Sequence, residues 1–346
     1  MIITLTPNPS VDRTIAFDSI RIGEVQRATS SRIDPGGKGI NVSRALVAQG
    51  ANTRAVFPVG GPEGRLLAEL LELAGVPRRE VPISGTGRIN IAAVTPDGTT
   101  TKLNEAGPQM TGDEVEALLA ATLDAASPGD WVVGCGSLAP GAPIGVYADL
   151  VGRARDLGAR VAIDSSGMPF SDAVAAKPSL IKPNHEELAE LVGRSLPTLG
   201  DVVAAARDLV GDGIEMVVVS LGADGAIAVD AATHATTSDP GPLWAKATVE
   251  RPLSTVGAGD CLLAGVLFGL DAGESLTASL ERGVAWGAAA VGLPGSRVPC
   301  PADTAAIAVT TSRSPDLSMP IRMPTHTPSR PTGTSDLPPT NHTVRI

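Results

Sequence analysis

From Thr111 to Ser220 the chain alternates strand-length apolar runs with helix-length stretches, and few folds accommodate that rhythm. The apolar runs fall at 131–134, 159–164, 179–182 and 215–220. The first intervening helix is announced by Thr111-x-x-Glu114, a capping box in which hydroxyl and carboxylate each accept a terminal backbone N–H; it should reach about Ala126. Strands separated by helices in this way run mainly parallel and need both faces covered. The reading extends in both directions. Ile2–Leu5 and Arg54–Val59 are strands, a helix from Val42 to Ala48 is closed by Gly50, and another ends at Gly75. Helices at about 258–270 and 275–291 complete the unit. The expectation is an α/β fold of three layers, α/β/α, about a mainly parallel sheet.

Two stretches break the rhythm. Residues 13–33 are short, mixed and β-like, and 87–95 and 99–103 flank Pro96-Asp97-Gly98, a hairpin signal. Two β insertions in one half of an α/β chain predict a small second sheet covering a site. Beyond about residue 311 the composition turns to Ser, Thr, Pro and isolated Arg. Such a segment lacks the apolar periodicity to offset ordering entropy, so 311–346 is expected to be disordered. His326 and His342 fall within it and are poor catalytic candidates. No internal repeat is found.

A net charge of -10 argues against nucleic-acid binding, which needs a basic stripe. It also means that an anionic substrate must be drawn in by a few placed cations. Cys135, Cys261 and Cys300 are an odd number without a C-x-x-C pair, and read as small buried residues of a reduced cytoplasm. The first residues enter a strand at once, without the regions of a signal peptide. No apolar run approaches the roughly 18 residues of a membrane helix, so a cytoplasmic protein without a membrane span is expected.

The chemistry concentrates in glycine-led helix starts. In Ser254-Thr255-Val256-Gly257-Ala258-Gly259-Asp260, glycines leave first-turn N–H groups unshielded where helices leave about four donors without partners, and where the dipole is positive. That is an anion site. A carboxylate beside it, Asp260, is either a base for a hydroxyl that attacks a phosphate or a complement to the dipole; these residues alone leave both open. Gly36-Gly37-Lys38-Gly39-Ile40-Asn41 is a second such start and not a Walker A loop, since no Ser/Thr follows the lysine. Pro7 and Pro9 stop the first strand, placing Asn8 and Asp12 at its carboxyl end, where α/β sheets keep ligands. Arg88 and Asn90 share one face of a strand, suited to a second phosphate or simply to solvent. Asn184-x-x-Glu187, after Lys182-Pro183, fits a capping box and equally the oxygen ligands of a hydrated Mg²⁺; His185 between them reads as a surface residue. Ser220-Leu221-Gly222-Ala223-Asp224-Gly225 joins two strands and reads as a β-turn or as a backbone platform for a flat ligand.

In this combination the chain resembles the PfkB group of ribokinase-like carbohydrate kinases, over about residues 1–310. Gly36–Ser43 and Ser254–Asp260 match its two signatures, with Lys182-Pro183-Asn184-x-x-Glu187 and Ser220-Leu221-Gly222 between them. Thr4-x-x-Pro7-Asn8-Pro9-x-x-Asp12, Arg88-Ile89-Asn90, Lys102-Leu103-Asn104-Glu105, Gly136-Ser137-Leu138 and Asp164-Ser165-Ser166 look most like the members that phosphorylate fructose 1-phosphate. Kinases of fructose 6-phosphate and tagatose 6-phosphate share much of this pattern.

The resemblance implies a ribokinase-like kinase domain over 1–310, with a lid from about 13–33 and 87–103 that in relatives often forms a dimer contact. It makes Asp260 the base, and the N–H groups of Gly257, Ala258, Gly259 and Asp260 the anion hole. Asp12 and Asn41 would orient sugar hydroxyls, with Gly37 in backbone contact and Ser137 nearby. Lys38, Arg88 and Asn90 would receive the phosphate already on the sugar. Lys182 would contact ATP phosphates, Asn184 and Glu187 would organise Mg²⁺ through water, and Ser220, Gly222 and Gly225 would line the nucleotide site. Some relatives also require a monovalent cation. Gly87 departs from the Thr common there, which would loosen that end of the lid, and Ala139 replaces a usual proline; neither removes a functional group. Two unit charges about 4 Å apart repel by about 4 kcal/mol at an effective dielectric of 20, so joining ATP to a sugar phosphate demands such cations. A non-catalytic sugar-phosphate sensor would keep the fold without needing Asp260 as base, and a dinucleotide-dependent oxidoreductase would need a G-x-G-x-x-G after the first strand, which is absent.

Overall fold

Each apolar run feeds one strand of a single large sheet. The computed structural model describes residues 1–97, 99–231 and 241–322. Its main sheet has ten strands, in the spatial order Val309–Ser312, Leu243–Ala247, Ala226–Asp230, Met216–Ser220, Leu180–Ile181, Arg160–Asp164, Trp131–Cys135, Ile2–Leu5, Thr53–Val59, Arg78–Pro82. The seven strands from Met216–Ser220 to Arg78–Pro82 are parallel; the remaining three join antiparallel. Side chains of these strands alternate between two apolar layers. Ile3, Leu5, Val132, Val217 and Val219 face the helices Gly112–Leu123, Val146–Asp156 and Leu199–Gly211. Ile2, Trp131, Val133 and Val218 face Ala258–Asp271 and Leu276–Val291. Burial on both faces is why these strands read as unbroken apolar runs. The helix begun by Thr111 has its capping box and ends at Leu123. Among the described residues no helix is long and apolar enough to cross a membrane.

Strand order reverses at Ile2–Leu5. From there the chain moves outward through Thr53–Val59 to Arg78–Pro82, then returns to Trp131–Cys135 on the other side. The carboxyl ends of strands at such a reversal form a crevice, the habitual ligand position of α/β sheets.

A four-stranded sheet stands over this edge, in the order Ser30–Gly36, Ser10–Ala16, Arg88–Val94, Thr100–Asn104. It is the covering sheet expected from the two insertions; Gly98 of its hairpin turn lies outside the described residues. Asp12 is the third residue of a covering strand, opposite Asn90 and Asp34, rather than at the end of the first central strand. Asn8 does lie past that strand's end. Gly87 tightens its junction instead of loosening it. Its N–H donates to Gly60 O at 2.9 Å, and a Cβ there would meet Gly64 N at 3.0 Å.

Three further expectations are corrected. Residues 311–322 are held to the fold by backbone pairing, not disordered. Val309–Ser312 adds an edge strand, Leu199 and Gly200 donate to Met319 O and Leu317 O, and Ile321 is buried at 7% exposure. Composition missed this because a few apolar residues suffice when the backbone pairs with an existing edge. The remaining tail, with His326 and His342, lies outside the described residues. His185 is buried, its Nε2 2.6 Å from Leu196 O, because the loop after its short helix folds back over it. Cys135 and Cys261 are buried as expected, but Cys300 is exposed at the start of the helix Pro301–Ala305.

Candidate active site

The helix Ala258–Asp271 starts from Gly257 in the left-handed region, φ 79°, with no side chain capping it. A glycine is needed there because a Cβ penalises that conformation. The Ala258 N–H donates to Thr255 O at 3.4 Å, and no side chain caps the amides of Gly259 and Asp260. Asp260 sits in this turn at 7% exposure. Asn41 Nδ2 donates to its Oδ2 at 2.8 Å, and Arg44 Nη1 donates to Asn41 Oδ1 at 3.0 Å while also bonding Pro35 O and Ser296 O. Arg44 thus orients Asn41, and Asn41 orients Asp260. Burial, with the nearby negative charge of Asp164, pushes the Asp260 carboxyl up to about 6, against the pull of Asn41, Lys38 and Lys182. The raised value makes it a stronger base than an ordinary aspartate.

Asp164 closes the strand Arg160–Asp164 and is fully buried. Lys38 Nζ donates to its Oδ1 at 2.7 Å, and Lys182 Nζ pairs with Oδ2 at 2.9 Å. Burial works against the Asp164 charge, yet the two ammoniums outweigh it and leave the carboxyl below the ordinary aspartate range. Burial likewise opposes the Lys38 charge, and Asp164 and Glu187 more than restore it, holding this lysine above its usual range. Lys182 is itself buried. A Cβ on Gly259 would lie 3.6 Å from its Nζ, so the ammonium reaches the first turn of the Asp260 helix. In the sequence Asp164 stood out only within a resembling stretch. The available signal was an acidic residue ending an apolar strand at the sheet's carboxyl edge.

Asn184 and Glu187 form the capping box completely: Asn184 N donates to Glu187 Oε2, and Glu187 N to Asn184 Oδ1, both at 2.8 Å. Glu187 Oε1 is left over, 3.7 Å from Lys38 Nζ. Ser220 pairs beside Asn184, its N–H donating to Pro183 O at 3.1 Å. Gly222 opens the following turn at φ 58° with free space where a side chain would be, whereas a Cβ on Gly225 would strike Ala245 O at 2.1 Å. Gly225 is therefore fixed by packing, and Gly222 leaves room above the backbone.

On the covering sheet, Asp12 Oδ1 accepts from Ser10 Oγ at 2.6 Å and Asn90 Nδ2 at 3.2 Å. Burial raises its carboxyl above the usual range. Arg88 donates to the carbonyls of Asn8, Pro9 and Glu105 and lines a cleft of about 390 Å³ with Glu63, Thr86 and Gly107 among its walls. Gly37, at φ 119°, packs on Thr6 and Pro9. Ser137 is exposed on the loop after Gly136, whose carbonyl is anchored by Tyr147 and Ser165 hydroxyls. Asp12 and Asn90 are thus brought together, as are Asn41 and Asp260. Lys38 and Arg88, read from sequence as one cationic cluster, hold different partners: Lys38 is turned to Asp164 and Arg88 to backbone carbonyls.

A parallel sheet with an uncapped helix start and a buried carboxylate at its switch-point edge, under a four-stranded cover, has the ribokinase-like architecture. The model of the pfkB family carbohydrate kinases matches residues 6–303, and the chain belongs to that family. It is 35% identical over 311 residues to a 1-phosphofructokinase of Rhodobacter capsulatus, covering 89% of this chain and 96% of the relative. It is 38% identical over 299 residues to an ATP-dependent 6-phosphofructokinase isozyme 2 of Mycobacterium tuberculosis, covering 85% of each. A crystal structure of phosphofructokinase-2 from Escherichia coli in complex with potassium superposes with a TM-score of 0.81 at 33% identity, over 88% of this chain and 96% of that one.

Proposed function

We propose that this carbohydrate kinase transfers the γ-phosphoryl group of ATP to D-fructose 1-phosphate, forming D-fructose 1,6-bisphosphate, in the cytoplasm. The observation that carries the reading is Asp260: a buried carboxylate with a raised pKa, set in the uncapped first turn of a glycine-led helix beside Lys182. A carboxylate so placed is repelled by phosphate, and removal of a proton during the reaction gives that cost a function. Asp260 accepts the proton of the acceptor's primary hydroxyl, that oxygen attacks the γ-phosphorus, and the bond to ADP breaks. First-turn amides from Gly257 to Asp260 receive the charge of the transferring group. Asp164 holds the ammoniums of Lys38 and Lys182 at the phosphate end, and Asp12, Asn41 and Asn90 orient the sugar. Arg88 offers charge to the phosphate already on the acceptor. Ser137 and Gly37 approach the sugar, and Ser220, Gly222 and Gly225 line the nucleotide.

A hydrated Mg²⁺ fits one side of this site. Glu187 Oε1 takes no part in the capping box, and Mg²⁺ is commonly held by one or two carboxylates, substrate phosphates and several waters. Glu187, with Asn184 through water, would hold it; when bound it neutralises phosphate charge. A monovalent cation, like the potassium of the Escherichia coli relative, belongs to the same proposal. So does a homodimer through the lid, supported by the exposed Ile22, Val25 and Leu103 there.

Because relatives named for fructose 1-phosphate and fructose 6-phosphate chemistry are both similar, the deciding test is an ADP-release assay. It compares fructose 1-phosphate, fructose 6-phosphate and tagatose 6-phosphate, with and without KCl. The highest kcat/KM should fall on fructose 1-phosphate. Preference for another sugar moves the acceptor assignment, and no turnover on any of them supports a sensor instead.

A further inference from the structure

The C-terminal segment 313–322 lies beyond the residues matched by the family, yet it reaches the turn that follows Ser220. It runs past the start of the helix Leu199–Gly211. Gly200 and Leu199 donate to Leu317 O and Met319 O, and Ile321 donates to Pro197 O. At its end the Arg322 backbone N–H donates to Asp224 Oδ2 at 3.1 Å. Asp224 is a buried carboxylate in the short 3₁₀ turn Gly222–Asp224. Its Oδ1 takes Lys246 Nζ at 3.3 Å, with Arg322 Nε at 3.7 Å, and its backbone carbonyl accepts from Trp244 Nε1. The site chemistry described above uses none of these groups.

We propose that segment 313–322 is a strap that positions the nucleotide-binding turn, acting through the Arg322 amide and Asp224. This rests on the reading that Ser220–Gly225 lines the ATP site. Two Arg322 interactions must be weighed. The guanidinium is 77% exposed and distant, so solvent screens its pair. The amide donates to a carboxylate at 4% side-chain exposure, where a lost hydrogen bond leaves a buried charge short of a partner. The backbone bond therefore dominates. Without it Asp224 keeps only Lys246 and the exposed Arg322 guanidinium as side-chain partners among the described residues, and the turn joining it to Gly222 and Ser220 gains freedom that nucleotide binding must remove.

The dominance of an N–H over a side chain gives a sharp test. Arg322→Ala keeps the amide and removes the guanidinium; Arg322→Pro removes the amide donor. Nucleotide binding is measured by calorimetric titration with a non-hydrolysable ATP analogue, and KM for each substrate by the ADP assay. Arg322→Pro should weaken nucleotide binding about tenfold and raise KM for ATP alike, leaving KM for the sugar phosphate unchanged. Arg322→Ala should stay within about twofold of the parent. Asp224→Asn, which keeps the shape and the carbonyl oxygen but not the charge, should fall between them. Equal affinities for the two Arg322 variants overturn the strap, and so does a loss shared equally by both substrates, which marks general destabilisation. If the parent itself binds no ATP analogue, the nucleotide reading fails instead.

Discussion

As the proposed base, Asp260 is subject to two opposed demands, since a base must be charged before the reaction while its pocket disfavours charge. Its folded pKa of about 6 stands above the ordinary 3.8. Stability from the protonated form is fully present below about 4 and is lost as pH rises through about 6. Asp260→Asn should therefore melt above the parent at pH 8 and converge with it near pH 4, as differential scanning calorimetry without ligand can establish. The same variant should lose about 10²–10⁴ in kcat and still bind the ATP analogue; near-normal turnover removes Asp260 from the role of base. For the parent, kcat should fall as pH drops below about 6. Asn41→Ala takes away a hydrogen bond that favours the charged form, so the acid limb of its pH–rate profile should move upward. An unmoved limb, with only a raised KM, would assign Asn41 to the sugar alone.

At the scale of elements, the site is assembled by three helix starts and one strand end meeting beneath a sheet. The capping box of Asn184 and Glu187 illustrates how structural and functional readings combine. Each residue accepts one backbone N–H through one oxygen, and Glu187 Oε1, 3.7 Å from Lys38 Nζ, stays outside the box. In the lid, glycine positions decide how near the polar groups come. A Cβ on Gly36 would lie 2.3 Å from Asp12 Cγ, so the strand Ser30–Gly36 ends in glycine where the Asp12 carboxylate needs space. Arg88 ties Asn8 and Glu105 backbone to the lid strand. Arg88→Ala should raise KM for the sugar phosphate at least about tenfold and KM for ATP far less. Equal rises for both substrates would make Arg88 a brace for the lid rather than a contact of the acceptor. That outcome is a live contrast, because its donors face carbonyls in the free protein.

For the whole molecule, segment 313–322 changes where the chain can be cut. Ile321 is buried, Met319 packs against the core, and both lie beyond Ser312. Ending the chain at Ser312 removes about 2 kcal/mol from Ile321 alone, together with backbone bonds to Pro197, Leu199 and Gly200. Its melting temperature should fall clearly, while ending it after Arg322 should leave the transition in place. The parallel sheet, its two helical layers and the covering sheet were legible from period and punctuation, because apolar alternation and glycine turns act over a few residues. So were the two glycine-led helix starts and the place of Asp260 in one of them. Contacts across the fold were not legible. Asn41 and Asp260 stand 219 residues apart, Lys38 and Asp164 are separated by 126, and Asp224 and Arg322 by 98. Nothing local distinguishes a lysine aimed at a sugar phosphate from one turned to a buried aspartate. The sequence by itself determined the elements and the chemical inventory. Tertiary structure alone decided the pairings, because a buried charge takes whichever partner the packed elements bring within reach.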